Sequence, residues 1–559
     1  MKKYITISII CIASVFAFNF SQDYFEVSKN LDVFNTLYRE LNIAYVDETK
    51  PGQLMKTGID AMLASLDPYT NYYTENDIED YKYMTTGEYG GIGAIIQDVD
   101  KKITVMEPYQ NFAAYNAGLR AGDEILEVND INVTNKKTED ITTMLKGQAG
   151  TPIKLKIKRF ASETPIEINM KREEIKIKAV SFSGMLNNET GYIKLTSFTD
   201  NCSGEVKDAL IKLKEKNCKS LVLDLRGNPG GLLKEAVNIV NFFVEKGNEI
   251  VFTKGKIKDW EKHYVAVNNP IDLQIPLVVL VDNNSASASE IVAGALQDLD
   301  RAVIIGQRSY GKGLVQDVRD LTYNTKLKVT VAKYYIPSGR CIQALDYTHK
   351  DEEGRVDKVP DSLVTAFKTK NGRIVYDGAG VLPDEKLNNV KYSHVLAVLV
   401  NKHLIFNYVN QFIAKNPNLQ AKASTYTFTD ENYTDFINFL KDKDYNYKTE
   451  SDFALEDLKD DASKEKYYES IKVEYEALKL KMASNKKDDL TRFKLEIKQF
   501  IEEEIISRYE FQTGRVETNL KYDDEVVVAK KLLADPAKMK TILTTVEKSI
   551  KPFNVNKKF

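Results

Sequence analysis

The segment VDNNSASASEIVAGALQD, from Val281 to Asp298, decides how the centre of this chain folds. It follows the apolar run Ile275 to Val281, which is typical of a buried strand, and its small residues predict a helix that begins near the serines. Ser285, Ser287 and Ser289 stand at alternate positions there. A nucleophile at this place would lie beside free N–H groups of the helix N-terminus, which can stabilise an oxyanion.

A nucleophilic serine needs a base, and histidine is almost absent from the chain. The only four histidines are His263, His349, His394 and His403, and none of them lies in a motif. Lys312, between two glycines in SYGKG, is therefore the candidate base. Both features also have an ordinary interpretation. Ser287-x-x-Glu290 is a capping box, and Gly-Lys-Gly is a common turn with a solvated lysine.

Another glycine-rich motif, LVLDLRGNPGGLL, runs from Leu221 to Leu233. An apolar strand ends at Asp224 and a Gly/Asn/Pro turn follows, so Gly230 and Gly231 can bring bare backbone close to a ligand. A turn of this kind can also be purely structural. We interpret Asp224 and Arg226 as scaffold charges and not as catalytic groups.

A glycine-dense loop that runs into an apolar strand, GEYGGIGAIIQ from Gly87 to Gln97, is typical of a PDZ carboxylate-binding loop. A peptide held there would add to the domain as a strand. The backbone N–H groups that would hold its C-terminus belong to Gly90, Gly91, Ile92 and Gly93. NAGLRAGDEILEVNDINV, Asn116 to Val133, follows as the helix, turn and strand of that domain. A phosphate-binding loop is the rival interpretation, but no Gly-Lys-Ser/Thr or suitably spaced acidic residue accompanies the glycines.

Taken in their order along the chain, these motifs resemble those of the serine–lysine C-terminal processing proteases, also called tail-specific proteases. Ser287 precedes Lys312 by 25 positions, and Gln316 follows the lysine by four. The resemblance implies that Ser287 is the nucleophile, that Lys312 is the general base and that Gln316 orients the lysine. The choice of Ser287 over its neighbours rests on this resemblance. The N–H groups that it implies for the oxyanion hole belong to Gly230, less clearly Gly231, and Ala288.

The resemblance implies an α/β multidomain protein, and 559 residues leave room for three or four domains. We expect a signal peptide over residues 1–21, an N-terminal helical region over 22–85, a β-rich PDZ domain over 86–172, a crotonase-like α/β serine protease core over 173–400 and a mostly helical C-terminal domain over 401–559. The C-terminal domain includes charged amphipathic stretches such as Leu490 to Phe511, which predict helices with a solvated face. An insertion from about Ala344 to Ala379 has no readable role.

The N-terminus predicts export. Lys2 and Lys3 precede the apolar run Tyr4 to Phe18, which is typical of a signal peptide cleaved near Ser21. An uncleaved membrane anchor is the alternative. A periplasmic or envelope location follows in either case. The cysteines that a mature chain would keep are Cys202, Cys218 and Cys341, an odd number that argues against a disulfide framework.

Composition excludes other classes of function. A net charge of -3 and a pI of about 6.1 give no electrostatic case for nucleic acid. No Cys/His cluster has metal-ligand spacing, so we expect no metal and no cofactor. The sequence therefore predicts an endoprotease whose partners are proteins or peptides with free C-termini. An envelope adaptor protein remains open as a partner, and the sequence does not define the oligomeric state.

The expected mechanism places a demand on the base. A lysine with an ordinary pKa of about 10.4 is protonated at neutral pH, and lowering that value by roughly 3 units takes about 4 kcal/mol, most readily from desolvation. Two alternatives to a protease remain: a noncatalytic PDZ scaffold, and a chaperone-like envelope factor. The intact serine, lysine and glutamine argue against the scaffold.

Overall fold

The computed structural model describes residues 24–160, 162–350, 356–359, 363–388 and 392–545. The expected signal peptide lies outside the described residues. The described chain forms two compact units, one made of residues 24–73 and 318–329, the other of residues 74–317 and 330–545. None of the described helices combines the length and the apolar character needed to cross a bilayer.

The helices, in chain order, are α1 (24–44), α2 (Pro51–Ala64), α3 (Ile78–Thr86), α4 (Ala113–Asn116), α5 (Thr138–Leu145), α6 (Cys202–Glu215), α7 (Leu233–Asn241), α8 (Ala288–Asp298), α9 (His394–Asn401), α10 (Leu404–Lys415), α11 (Asp430–Phe439), α12 (Glu450–Lys464), α13 (Tyr468–Lys487), α14 (Asp489–Arg492), α15 (Lys494–Leu520), α16 (Asp524–Leu533) and α17 (Pro536–Thr544).

The strands are β1 (Asn71–Tyr73), β2 (Glu88–Gly91), β3 (Ala94–Val99), β4 (Lys102–Pro108), β5 (Glu124–Val128), β6 (Ile131–Asn132), β7 (Pro152–Lys158), β8 (Ile166–Lys171), β9 (Glu173–Lys176), β10 (Val180–Met185), β11 (Thr190–Leu195), β12 (Ser220–Asp224), β13 (Glu249–Gly255), β14 (Lys262–Val265), β15 (Leu277–Val281), β16 (Val303–Gly306), β17 (Leu314–Asp320), β18 (Lys326–Tyr335), β19 (Leu345–Lys350), β20 (Val356–Lys358), β21 (Ala366–Lys368), β22 (Ile374–Tyr376) and β23 (Glu385–Lys386).

The first unit contains α1, α2 and β1. β1 pairs antiparallel with the beginning of β18, with Asn71 opposite Lys328. In the turn before β1, Asp67 Oδ1 accepts the N–H groups of Tyr69 and Thr70 at 2.8 Å each. An aspartate that caps its own turn in this way fixes the entry into the strand.

A small sheet with the strand order β3-β4-β5-β7-β8 forms the β-rich module of the second unit. Its apolar face packs on α4 and α5, with Ile92, Val105 and Leu155 among the buried residues. Among the described strands β3 pairs with β4 alone, so β3 is an edge strand. An exposed edge of this kind is where an extended peptide can add to a sheet.

The central part of the second unit is built on a six-stranded sheet with the order β10-β11-β12-β15-β16-β23. The strands from β11 to β23 pair in parallel. All residues of β12 and β15 are buried, as expected of parallel strands that are covered on both faces. Helices α6, α7 and α8 cover one face, while α16 and α17 cover the other. Helices α16 and α17 are therefore part of the core around this sheet.

In the C-terminal region, α9, α10, α11, α14 and α15 share one hydrophobic core. The amphipathic stretch Leu490 to Phe511 is helical as expected, but the structure divides it between α14 and α15. Phe511 has φ 51° and ψ -146° inside α15. The insertion with no readable role contains the hairpins β19–β20 and β21–β22.

Candidate active site

The three serines of the central motif differ in their surroundings. Ser285 is buried and its Oγ donates to the Leu225 carbonyl at 2.8 Å. Ser289 is also buried, and its Oγ donates to the Asn228 carbonyl at 2.9 Å. Ser287 is only half-buried and precedes α8 with φ 54° and ψ -112°. A non-glycine residue held at such angles is strained, and strain of this kind concentrates at functional sites.

Glu290, in the first turn of α8, ties the serine turn to the lysine turn. Its Oε2 accepts the backbone N–H of Ser287 at 2.8 Å and that of Lys312 at 2.9 Å. Its Oε1 accepts the Ser309 hydroxyl at 2.5 Å and the Gly311 N–H at 2.7 Å. Burial raises the pKa of Glu290 to about 7, although these four hydrogen bonds act to lower it. The sequence signalled this residue only as the partner of a capping box.

Tyr334, near the end of β18, joins the same two turns through their carbonyl groups. Its ring is buried. Its hydroxyl lies 2.5 Å from the Lys312 carbonyl oxygen and 3.1 Å from that of Ser287. The sequence analysis did not identify this residue, because nothing in its local pattern marks it as a partner of either turn. The backbones of Ser287 and Lys312 are thus fixed from both sides, by Glu290 and by Tyr334.

The glycine pair of the loop after β12 lies against the start of α8. A Cβ atom on Gly230 would stand 2.8 Å from Ser287 Cβ and 2.9 Å from the Ala288 nitrogen, so no larger residue fits. Gly230 has φ 96°, and its N–H donates to Asn228 Oδ1 at 2.9 Å. The loop backbone therefore comes within contact distance of the first N–H of α8, next to Ser287. Gly231, the second glycine, packs against the Phe198 carbonyl.

A buried ion cluster holds the beginning of this loop. Arg226 donates to Asp224, to Asp523 and to Glu525, with distances of 2.6 to 3.1 Å. Asp224 is fully buried and also accepts the Tyr192 hydroxyl at 2.5 Å. Burial alone would raise the pKa of Asp224, but the cations beside it, Arg226 first, hold that pKa below its usual range. Because Asp523 caps α16, the C-terminal helices hold the loop that carries Gly230.

The remaining catalytic candidate, Gln316, lies on β17, which begins two residues after Lys312. Its side-chain amide donates to Thr330 Oγ1 on the paired strand β18 at 3.2 Å. The amide is thus anchored beside the strand that carries Tyr334.

The four residues expected to bind a carboxylate span the end of β2, which includes Gly90 and Gly91, and the short connection to β3. Gly93 has φ 73°, and a Cβ there would stand 2.8 Å from Phe112 Cβ. A Cβ on Gly90 would meet the Gly147 carbonyl at 2.2 Å. Gly91 ends β2, and Ile92 is buried in the core of the small sheet. Glycine is therefore required at two of the four positions by conformation or by close approach.

Three family models match the chain. Residues 189–351 match "Peptidase family S41", residues 104–159 match "PDZ domain" and residues 395–533 match "Probable PDZ-protease, C-terminal helical domain". The matches fall, in turn, on most of the central sheet, on the middle of the small β-rich module and on most of the C-terminal helices.

Proteins of similar sequence agree with these matches. The chain is 36% identical over 349 residues to a carboxy-terminal-processing protease of Bartonella bacilliformis, covering 62% of this chain and 79% of the relative. It is 33% identical over 369 residues to a protein of Staphylococcus epidermidis named "Probable CtpA-like serine protease", covering 66% and 72%. Among solved structures, the photosystem II D1 C-terminal processing protease is 27% identical, with a TM-score of 0.35 and coverage of 64% and 92%. The chain therefore belongs to the carboxy-terminal-processing proteases of peptidase family S41, and is a serine-type peptidase with a PDZ domain that recognises protein C-termini.

Proposed function

We propose that Ser287 is the nucleophile of this protease, that Lys312 is its general base and that Gln316 helps to orient the lysine. The observation that carries the proposal is the convergence of the serine turn and the lysine turn on Glu290 Oε2. Among the three serines, Ser287 alone is not buried and has strained backbone angles. These two observations support Ser287 as the nucleophile, a choice that in the sequence analysis rested on the family resemblance alone.

In the proposed reaction, neutral Lys312 takes the proton of the Ser287 hydroxyl as that oxygen attacks the scissile carbonyl carbon. The protonated lysine then gives its proton to the leaving amine, and an acyl-enzyme remains. A water molecule attacks the ester, with the same lysine as base, and its proton returns to Ser287 Oγ. Each step leaves the charges balanced without a metal or a cofactor.

The developing oxyanion would be held by the Ala288 N–H and by an N–H of the glycine pair. The short approach of Gly230 to Ala288 supports this placement. Since Gly230 donates to Asn228 Oδ1, its N–H becomes available only if that bond opens, and Gly231 is the neighbouring donor. A preorganised pair of this kind is worth about 10²–10³-fold in kcat per donor.

Capture of the substrate is proposed to begin at the loop formed by Gly90, Gly91, Ile92 and Gly93, whose backbone N–H groups would bind the free carboxylate of a protein tail. The tail would then pair with the free edge of β3. We further propose that the protease is exported and works in the periplasm or at the envelope, as the N-terminal sequence indicates. An envelope adaptor that delivers substrates is compatible with this location.

The test uses an unfolded protein with an apolar C-terminal tail as substrate. Ser287→Ala and Lys312→Ala are expected to abolish cleavage with the fold intact, because nucleophile and base act as one unit. Ser285→Ala and Ser289→Ala serve as matched controls. Both variants keep Ser287, so both should still cleave the substrate. Turnover retained by Ser287→Ala would overturn the assignment of the serine. Amidation of the substrate's C-terminus should slow cleavage by weakening capture, and equal cleavage of both forms would remove the glycine loop from recognition.

A further inference from the structure

A cavity of about 570 Å³ lies between the outer face of the PDZ sheet and the C-terminal helices. Its sheet wall includes Ile95 and Gln97 on β3 and Glu107 on β4. Its apolar helix wall includes Phe406 and Phe500. A cavity of this size, mostly apolar and with a few converging polar groups, has the character of a binding site.

The charges that line the cavity are unbalanced. Three carboxylates, those of Glu107, Glu503 and Glu504, face a single guanidinium, that of Arg515. Arg515 is bonded to all three, at 3.1 to 3.3 Å. Nearby, Arg508 pairs with Glu504 at 2.9 Å but does not line the cavity. The site therefore has more negative than positive charge.

Glu107 carries an unused acceptor. The residue is 5% exposed, and its Oε2 accepts from Arg515 and Gln512. Its Oε1 is buried and has no hydrogen-bond partner in the described part of the chain. Burial raises the pKa of Glu107 despite the neighbouring Arg515. A buried carboxylate oxygen without a donor is costly, and a further cation would relieve that cost.

The cavity adjoins the edge at which a tail would bind. Side chains alternate along β3: Ala94 and Ile96 pack against the PDZ core, whereas Ile95 and Gln97 line the cavity. A tail added to this edge would alternate in the same way, with every second side chain on the cavity side. Ile95 lies directly opposite Glu107. The added strand would thus run about 10 Å from the backbone of Glu107. An extended lysine side chain of the tail and the side chain of Glu107 can together span this distance.

We propose that this cavity is a second specificity site, which selects protein tails with a basic residue at the second or fourth position from the C-terminus. The inference rests on the proposed capture of the tail carboxylate by Gly90 to Gly93. The last side chain of the tail lies on the core side with Ile92. The side chains of the second and fourth residues from the C-terminus therefore face the cavity. The aliphatic stem of a lysine or arginine packs over Ile95, and its charged end approaches Glu107.

The test measures binding of tail peptides to the full chain carrying Ser287→Ala, so that the peptides remain intact. Peptides have a free carboxylate and an apolar last residue, and they differ only in having lysine or glutamine at the second, third or fourth position from the end. Lysine at the second or fourth position is expected to lower the Kd, measured by fluorescence anisotropy, about tenfold. Lysine at the third position, which faces α5, should change little.

Variants assign the effect to the cavity. Glu107→Gln should remove the preference for lysine, and Glu167→Gln, an exposed glutamate on the far strand β8, should preserve it. If Glu107→Gln fails to fold, Glu503→Gln tests the same cavity. Equal gains at all three positions, or none, would overturn the second site while leaving the proposed function intact. If amidated and free tails bind equally, the carboxylate capture itself fails.

Discussion

Ser287 and Lys312 donate their backbone N–H groups to one carboxylate oxygen, Glu290 Oε2, at 2.8 and 2.9 Å. Two segments that are 25 residues apart in sequence are thereby held at a single atom. The same glutamate caps the helix that follows Ser287, so one side chain positions the proposed nucleophile, the proposed base and the N-terminus of α8. The separation of the two turns therefore depends on the charge and length of residue 290.

Glu290→Gln should impair catalysis more than it impairs folding. The glutamine amide would point its NH2 group at N–H donors, so at least one of the two turns must move. A displacement of about 1 Å costs roughly 10²-fold in rate. We expect kcat to fall by that factor, with little change in binding of a tail peptide. Glu235→Gln, at another buried glutamate that accepts a backbone N–H, is the matched control. A wild-type kcat in Glu290→Gln would contradict this role.

Tyr334→Phe removes a single hydroxyl group from the protease core. The ring stays in place, but the carbonyl oxygens of Ser287 and Lys312 lose their shared partner. Loss of one such hydrogen bond costs about 1 kcal/mol, so we expect kcat to drop about five- to tenfold with KM unchanged. Tyr335→Phe is the control, because the ring of Tyr335 stacks on Phe252 at 5.1 Å instead. Equal kinetics of the two variants would show that Tyr334 only fills space.

The local parts of this site could be predicted from sequence. Apolar runs followed by small residues or by a Gly/Pro turn marked β12 and β15, and the Ser-x-x-Glu pattern marked the start of α8. The links between segments could not be predicted, since Arg226 meets carboxylates 297 and 299 positions further along the chain. Such pairs arise only when the sheet is covered by the last helices. Nothing in the local pattern distinguishes them from surface charges.

Tertiary packing also accounts for a backbone feature of α15 that the helical periodicity of the sequence does not predict. The periodicity from Leu490 to Phe511 predicts helical structure, and at the end of this stretch the backbone leaves helical angles at Phe511. There its ring packs edge-on against Tyr115 of the PDZ domain, with 5.4 Å between the ring centres. Contact with another domain thus accompanies the break, and periodicity within one segment carries no information about that contact.

Arg226→Gln should destabilise the fold strongly. The substitution leaves the buried Asp224 and Glu525 and the half-buried Asp523 without their shared cation, and breaking a buried pair costs about 3–5 kcal/mol. We expect a fall of that size in the free energy of unfolding, measured by denaturant titration. Arg120→Gln, at an exposed arginine of the PDZ domain, should change it by less than about 0.5 kcal/mol. A loss no greater than in this control would mean that α16 does not depend on the cluster.

The pKa of Glu290 leads to opposite pH effects on stability and on catalysis. Its folded-state value of about 7 lies above the ordinary 4.5, so the folded chain binds this proton more tightly than the unfolded chain. The contribution of Glu290 to the free energy of unfolding therefore falls as the pH rises from 4.5 to 7. Catalysis should rise over the same range. All four partners of Glu290 donate to its carboxylate. When Glu290 is protonated, its own O–H needs an acceptor, so at least one of these four hydrogen bonds must break or reverse its direction.

The acid side of the pH profile should therefore report two deprotonations. Lys312 acts as a base only when neutral, and Glu290 positions it only when ionised, so both must lose a proton before Ser287 reacts. We expect the logarithm of the rate at which a fluorophosphonate labels Ser287 to rise with a slope of about two below pH 7. A slope of about one would show that Glu290 does not gate the reaction. Replacing each of the four histidines should leave the profile unchanged. If any histidine proved indispensable in a folded protein, the serine–lysine assignment would give way to a histidine base.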